Sequence, residues 1–212
     1  IRPHRIWFYN YLFHSGLIDK GLVSMNEFDK HGYHFENKSI DIETIEKISQ
    51  NLPLVVHGKA NNEFDDNFYI RRFNDKISLD TYMTVISEAH CGDSDETMFL
   101  SEKTFKVIAV NHPFIIMGNK DSMRMMRKLG YKTFDGFIDE SYDTLPTHER
   151  LQSIIESIRK VDNIENKLEW FNNMKQILEY NYDNLINKLR VLPDAMVRIV
   201  NHVNRTSKKS LI

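Results

Sequence analysis

A Ser-Glu-Lys triplet at the predicted start of a helix is the stretch of this sequence best suited to chemistry. The triplet is Ser101, Glu102 and Lys103, and Lys106 follows one turn later. The start of a helix presents unpaired backbone N–H groups at the positive end of its dipole, which favours a phosphate. The lysines add positive charge, and Glu102 can accept two hydrogen bonds from a ribose diol. The triplet predicts a pocket for a nucleoside diphosphate, or alternatively a solvated helix face with a Glu102–Lys106 ion pair worth about 0.3–0.5 kcal/mol.

Two predicted strands must position this triplet. The β-branched, apolar segment from Thr81 to Ala89 predicts a buried strand, and Glu88 near its end is a second carboxylate facing the same crevice. The continuous apolar run Phe114–Met117 is typical of a parallel sheet covered on both faces. Strands that alternate with helices predict an α/β fold, in which ligands bind at the carboxyl ends of the strands.

The rest of the chain predicts further elements, in two units. Residues 1–160 are expected to form the α/β domain, and residues 161–212 a helical C-terminal extension. The predicted helices are His4–Ser15, Asp41 or Ser39 to Gln50, Asp121 to Leu129, one opened by Pro146–Thr147, Glu165 to Leu192 and a last one that frays. The predicted strands are Leu22–Met25, Leu54–His57 and Tyr131–Phe134, with loops over 26–40 and 58–76.

Composition excludes several classes of function. The chain has 28 Lys and Arg against 30 Asp and Glu, a net charge of −2, so no global basic field indicates nucleic acid. Its one cysteine, Cys91, excludes an internal disulfide and favours a reducing compartment, the cytoplasm. Its 9 histidines lack zinc spacing, so no metal is expected, and no apolar run predicts a membrane span. A start at Ile1 suggests a fragment that lacks an N-terminal part.

Two other groups of side chains leave alternatives open. Arg2, His4 and Arg5 either grip a diphosphate or form a solvated helix start. Asp139, Glu140 and Asp143 either contact a sugar or acceptor or belong to a solvated loop.

The segments "YMTVISEA" and "MFLSEKTFKVIAVNHPFIIMG" resemble the donor-binding region of the α1,3-fucosyltransferase family. Glu88 falls on that family's first glutamate, and "RIWFYNYL" supplies an Arg-aromatic-Leu counterpart in Arg5, Phe8 and Leu12. The further matches are Glu102 and Lys103 on the Glu-Lys pair, and Pro113 and Gly118 on the following strand. The sequence departs from the family pattern at three places. Ser101 stands where the family has a threonine, and "SEA" stands where it has a Phe-Glu-Asn-like triplet. "NHPF" stands where a Gly-x-x-Pro is usual. "LGYKTFDGFIDESYD" is similar to segments of uncharacterised phage and viral proteins.

The resemblance implies a glycosyltransferase of GT-B architecture, in which this chain is the Rossmann-like donor-binding half. Arg5 and Lys103 would contact the diphosphate of a nucleotide-sugar, and Glu88 and Glu102 would contact its nucleoside. A GDP-sugar is the favoured donor, and no metal is expected. The catalytic base would lie on the other domain, so the acceptor and the base stay unknown. The alternatives are a non-catalytic viral or phage interaction module in the host cytoplasm and, less favoured, transfer to a modified DNA base.

Overall fold

The computed structural model describes residues 2–54, 78, 80–93 and 98–191. Its helices are α1 (Pro3–Ser15), α2 (Ile42–Ile48), α3 (Glu102–Ala109), α4 (Ser122–Lys128), α5 (Thr147–Asp162), α6 (Lys167–Asn173) and α7 (residues 175–191). Its strands are β1 (Tyr33–Phe35), β2 (Lys38–Ile40), β3 (Thr84–Ser87) and β4 (Phe114–Met117). Two short 3-10 helices lie at Ile18–Lys20 and Ser141–Thr144. In these ranges no helix is both long enough and apolar enough to cross a membrane.

Strands β3 and β4 form a parallel pair joined through α3. Thr84 lies opposite Phe114 and Ser87 opposite Met117. All four residues of β4 are buried, as expected for a strand covered on both faces, whereas β3 is partly exposed. The prediction of a mixed α/β fold with parallel strands is therefore confirmed at this level. The sheet that contains β3 and β4 has two strands within the described residues.

The prediction of a loop over residues 26–40 is confirmed for residues 26–32 and wrong for residues 33–40, where β1 and β2 form an antiparallel hairpin. Tyr33 pairs with Ile40 and Phe35 with Lys38, and Glu36 in the turn has a left-handed φ of 54°. The sequence did not indicate these strands because the segment is mostly polar. In β2 the fold buries only Ile40, so the alternation typical of a strand is absent.

Three predicted strands are not observed as predicted, one of them because it lies mostly outside the described residues. The Leu22–Met25 strand is reduced to an isolated bridge between Met25 and Leu54, and the rest of the Leu54–His57 strand lies outside the described residues. No strand forms over 131–134, because the Asn181 side chain takes both backbone groups of Lys132, at 2.8 Å for each bond.

Most predicted helix ends agree with the structure. Gly16 ends α1 with a φ of 72°, and the Asp41 carboxylate caps α2 by accepting the Thr44 amide at 2.7 Å. Asp121 occupies the N-cap position of α4, as predicted, but its side chain caps no amide of the helix. Asp121 has a φ of 67° and pairs with Arg124, while Asp143 from the 3-10 helix Ser141–Thr144 accepts the Met123 and Arg124 amides.

The predicted helix from Glu165 to Leu192 is interrupted at Met174, which separates α6 from α7. Asn166 caps α6, and the Trp170 indole donates to the Phe137 carbonyl at 3.1 Å. Four side chains of α7, Tyr180, Asn181, Asn184 and Lys188, bond the backbone of residues 129–132. The division into 1–160 and 161–212 stays a prediction, and residues 192–212 lie outside the described part.

Candidate functional site

The Glu88 carboxylate joins the end of β3 to the start of α3. Glu88 Oε1 accepts the Ser101 amide at 2.9 Å and the Thr104 hydroxyl at 2.7 Å. Glu88 and Thr104 are fully buried, and Ser101 is 6% exposed. Glu88 Oε2 is buried as well and has no hydrogen-bond partner among the described residues. Glu88 thus fixes the helix start, and its side chain does not reach solvent.

The exposed side chains of this helix start are Glu102 and Lys103. Ser101 Oγ accepts the Lys103 amide at 3.2 Å, and Lys103 Nζ lies 3.4 Å from the same oxygen. Lys103 Nζ is also 4.0 Å from Glu102 Oε1, and the two side chains are 42% and 50% exposed. Lys106 lies one turn further along α3 and is half-buried. The predicted triplet therefore presents one cation and one carboxylate beside a capped helix start.

Arg5 and His4 reach the same strand end from α1. Arg5 Nε donates to Ser87 Oγ at 3.1 Å, and its Nη2 lies 3.5 Å from the Glu88 carbonyl. His4 Nε2 is 3.1 Å from the same carbonyl. Successive residues of a strand point to opposite faces, so Ser87 faces α1 while Glu88 faces α3. The two halves of the predicted site therefore flank β3 on opposite sides.

Burial sets the charge states of these two α1 side chains. Burial lowers the pKa of His4 to about 4, despite the hydrogen bond to the Glu88 carbonyl, which raises it. The ring is therefore neutral at pH 7. Burial, followed by repulsion from Arg2, lowers the pKa of Arg5.

Gly118 lets the end of β4 approach both Glu88 and α4. A Cβ at Gly118 would lie 2.9 Å from Ser122 Oγ, 3.1 Å from Ile116 Cγ2 and 3.5 Å from Glu88 Cβ. The position after the apolar strand therefore requires glycine, because a side chain there would clash with these atoms.

The acidic loop after Ile138 is held by structural contacts. Asp139 pairs with Lys160 at 2.5 Å, and this bond, with those from Ser141, lowers the pKa of Asp139 to about 2. Glu140 accepts from Arg127 at 2.8 Å and from the Phe134 amide at 2.6 Å. None of the contacts in the described part of the chain joins Asp139 or Glu140 to the Glu88 group.

A cleft of about 730 Å³ lies on the Arg5 side of β3. Arg5 and Ser87 line it at the strand end, with apolar and aromatic side chains from α1, β3 and α5 along its walls. The sequence did not predict this cleft, because its walls come from segments far apart along the chain.

Sequence reasoning missed two polar groups. Thr104 lies three residues after Ser101, a spacing that puts both on one helix face and that could have indicated its role. The fully buried Arg150 was missed as well. It bonds Asp93 at 3.1 Å and the Gly92 carbonyl at 3.1 Å, and Asp93 in turn accepts the Thr147 amide at the start of α5.

Among the described residues no three His, Cys, Asp or Glu side chains converge as a metal-binding group. Comparisons of this chain with protein-family models, with curated proteins and with solved structures found no match.

Proposed function

We propose that this chain binds a nucleoside diphosphate-sugar at the end of β3, as the Rossmann-like donor-binding half of a GT-B glycosyltransferase. The observation that supports the proposal best is the tie between Glu88, Ser101 and Thr104. This tie holds the positive end of α3 and the exposed Lys103 beside a parallel strand end. The resemblance of these residues to the fucosyltransferase donor region supports the same assignment.

The proposed mechanism is electrostatic. Lys103 and the start of α3 stabilise negative charge on one side of the strand end, and Arg5 does so on the other. Positive charge placed there stabilises a departing diphosphate more than the bound donor, because the charge on the diphosphate grows as the sugar leaves. Glu102, with a half-exposed carboxylate, accepts hydrogen bonds from the ribose. Glu88 acts by positioning, since Ser101 and Thr104 occupy Oε1.

Calorimetric titration with GDP, UDP and their sugars tests the proposal. We expect one nucleotide to bind, and Lys103→Ala to weaken it by about tenfold or more, the effect of a lost charge-assisted hydrogen bond. Lys175→Ala, which removes a lysine that is 71% exposed on α7, is the matched control. Equal affinities for the wild type and Lys103→Ala, or no binding by any of the nucleotides, would reject the donor site. If Glu102→Ala leaves affinity unchanged, the role given to Glu102 is wrong.

The second candidate is an interaction module that keeps the fold without transferase activity. The complete burial of Glu88 favours it, since a carboxylate that the resemblance places on the nucleoside is enclosed by the protein. Absence of nucleotide binding by a folded chain would favour this candidate.

A further inference from the structure

The cleft between α1 and β3 has the size and lining of a small-molecule site. Its volume of about 730 Å³ falls within the range of about 300–1,000 Å³ that is usual for ligand pockets. One wall is a single face of α1, formed by Arg5, Tyr9 and Leu12 at i, i+4 and i+7. The helix thus presents a cation, a phenol and an aliphatic side chain in a row along the cleft.

Arg5 places a positive charge at one end of the row. No carboxylate of the described residues lies within 4.0 Å of its guanidinium. Its hydrogen bonds go to two neutral oxygens, those of Ser87 and the Glu88 backbone. Glu88 attracts this guanidinium only at longer range, and an anionic ligand in the cleft would pair with it directly.

Tyr9 offers a hydrogen-bonding group one turn further along the cleft. The residue is 3% exposed and lines the cleft. Burial raises the pKa of this phenol, so it stays protonated and able to donate. A phenol that lines the cleft is a second group that can donate a hydrogen bond to a ligand.

Beyond these groups the walls are mainly apolar, and the lining also includes the carboxylates Asp19 and Asp80. The side chains that line this part include Phe8, Leu12, Met83, Val85 and Ile158. At the far end Lys20 pairs with Asp162 at 3.7 Å, and Lys167 donates to the Asp162 and Ile164 carbonyls. Lys20 and Lys167 thus already have partners, so we expect the charged group of a ligand to lie at Arg5.

We propose that this cleft binds an organic anion with an extended apolar body. Its phosphate or carboxylate headgroup contacts Arg5, the Tyr9 hydroxyl donates to a headgroup oxygen, and its body lies along Phe8, Leu12 and Val85. The inference rests on the proposed function in one respect, the sharing of Arg5, which makes the anion a neighbour or competitor of the donor diphosphate.

Calorimetry on the 212-residue chain tests this site with simple probes below their micelle concentrations. Decyl phosphate and decanoate carry both headgroup and aliphatic body, 1-naphthyl phosphate carries an aromatic body, and decanol and inorganic phosphate each lack one part. We expect at least one of the complete anions to bind about tenfold or more tightly than decanol and inorganic phosphate. Equal binding of decanol and decyl phosphate would overturn the role of Arg5.

Three variants locate the binding. Arg5→Gln is expected to weaken the bound anion by about tenfold or more, and Arg5→Lys to retain most of the affinity because it keeps the charge. Val23→Trp fills the cleft from its partly exposed rim and is expected to abolish binding. Arg190→Gln, an exposed change on α7, is the control. Circular dichroism shows whether each variant is folded, and unchanged affinity in folded Arg5→Gln and Val23→Trp would reject the site.

These experiments can reject the donor site or the anion-binding cleft independently of each other. Nucleotide binding that Val23→Trp leaves intact, without binding of the amphipathic anions, would reject the cleft and keep the donor site. Binding of the amphipathic anions without any nucleotide would reject the donor site and keep the cleft. Competition between the two ligands, lost in Arg5→Gln, would place both on the same guanidinium.

Discussion

Glu88 and Ser101, thirteen residues apart, are joined by a 2.9 Å hydrogen bond from the Ser101 amide to the Glu88 carboxylate. The bond is enclosed by protein, and Thr104 adds a second donor to the same oxygen. A buried carboxyl group that accepts two hydrogen bonds fixes both its neighbours, because moving either one removes a bond that water cannot replace there. The geometry of the α3 start therefore depends on the end of β3.

Thr104→Val should destabilise the protein although it keeps the shape of the side chain. It removes the hydroxyl that donates to Glu88 and leaves the carboxylate with one fewer hydrogen bond in a buried site. We expect the free energy of unfolding to fall by about 1–3 kcal/mol, measured by urea denaturation. Thr144→Val, at an exposed position, should change it by less than about 0.5 kcal/mol. Equal effects of the two changes would show that the Thr104–Glu88 bond contributes little.

Stability should fall as the pH is lowered from 6.5 towards 4. Burial lowers the pKa of both His4 and His112 to about 4. Below pH 6.5 the unfolded chain takes up protons on these rings that the folded chain does not accept until about pH 4. Each ring therefore reduces the free energy of unfolding by up to about 3 kcal/mol across this window.

The contribution of His112 can be isolated by comparing pH profiles. His112→Gln removes one of the two titrating rings, so its unfolding free energy should fall less steeply between pH 6.5 and 4 than that of the wild type. The slope is the informative quantity, because the substitution itself lowers stability at every pH. Parallel profiles for the two proteins would contradict the lowered pKa of His112.

Gly118→Ala should strain the junction of β4, Glu88 and α4. The added Cβ would lie 2.9 Å from Ser122 Oγ, closer than van der Waals contact permits. We expect a loss of about 1–3 kcal/mol in unfolding free energy. Gly21→Ala is the control, since no atom lies within 4 Å of a Cβ at that position.

A double-mutant cycle with Ser122→Ala would identify the clash. Removing Ser122 Oγ takes away the nearest obstacle, so Gly118→Ala should cost less in that background, with a coupling of about 0.5 kcal/mol or more. Additive effects would place the strain on Ile116 instead, whose Cγ2 would lie 3.1 Å from the added Cβ.

Asp93→Ala should destabilise the start of α5. It removes the counter-ion of the buried Arg150 and the acceptor of the Thr147 amide together. Loss of a helix cap and of the partner of a buried charge predicts a decrease of about 2–4 kcal/mol in unfolding free energy. Asp183→Ala, at an exposed position on α7, should have little effect. Similar losses in both variants would contradict the role of Asp93.

Local signals in the sequence were sufficient for two helix starts that are capped by a neighbouring side chain. Asp41 and Ser101 each lie directly before the helix whose amide they accept, and both positions were predicted as helix starts, with Ser39 as the alternative to Asp41. The Asn166 cap of α6 was missed, because it falls inside the single helix that was predicted from Glu165. The side-chain cap of α4 was not predictable in this way, because Asp143 lies in the 3-10 helix Ser141–Thr144, well after the end of α4 at Lys128. The predicted strand over 131–134 failed for a similar reason, since Asn181 binds Lys132 from a later helix.

In the candidate site too, local sequence signals predicted some features and missed those that depend on packing between distant segments. Residue types and spacing indicated Glu88, Ser101 and Lys103, and the structure brings them together at one strand end. The burial of Glu88 and the placement of Arg5 on the opposite face of β3 depend on packing between distant segments. No local pattern in the sequence reports that packing.

The attachment of α7 to residues 129–132 has a consequence for how this protein can change during evolution. The side chains of Tyr180, Asn181, Asn184 and Lys188 all bond main-chain atoms of that segment. Main-chain amides and carbonyls are the same for nearly every residue type, so the side chain of Leu129 can be exchanged without loss of these bonds. The Lys132 ammonium also lies 4.4 Å from the centroid of the Tyr180 ring and adds a side-chain contact. The hydrogen bonds of the attachment are supplied by side chains of the helix, and relatives should retain its asparagines while the residue at position 129 varies.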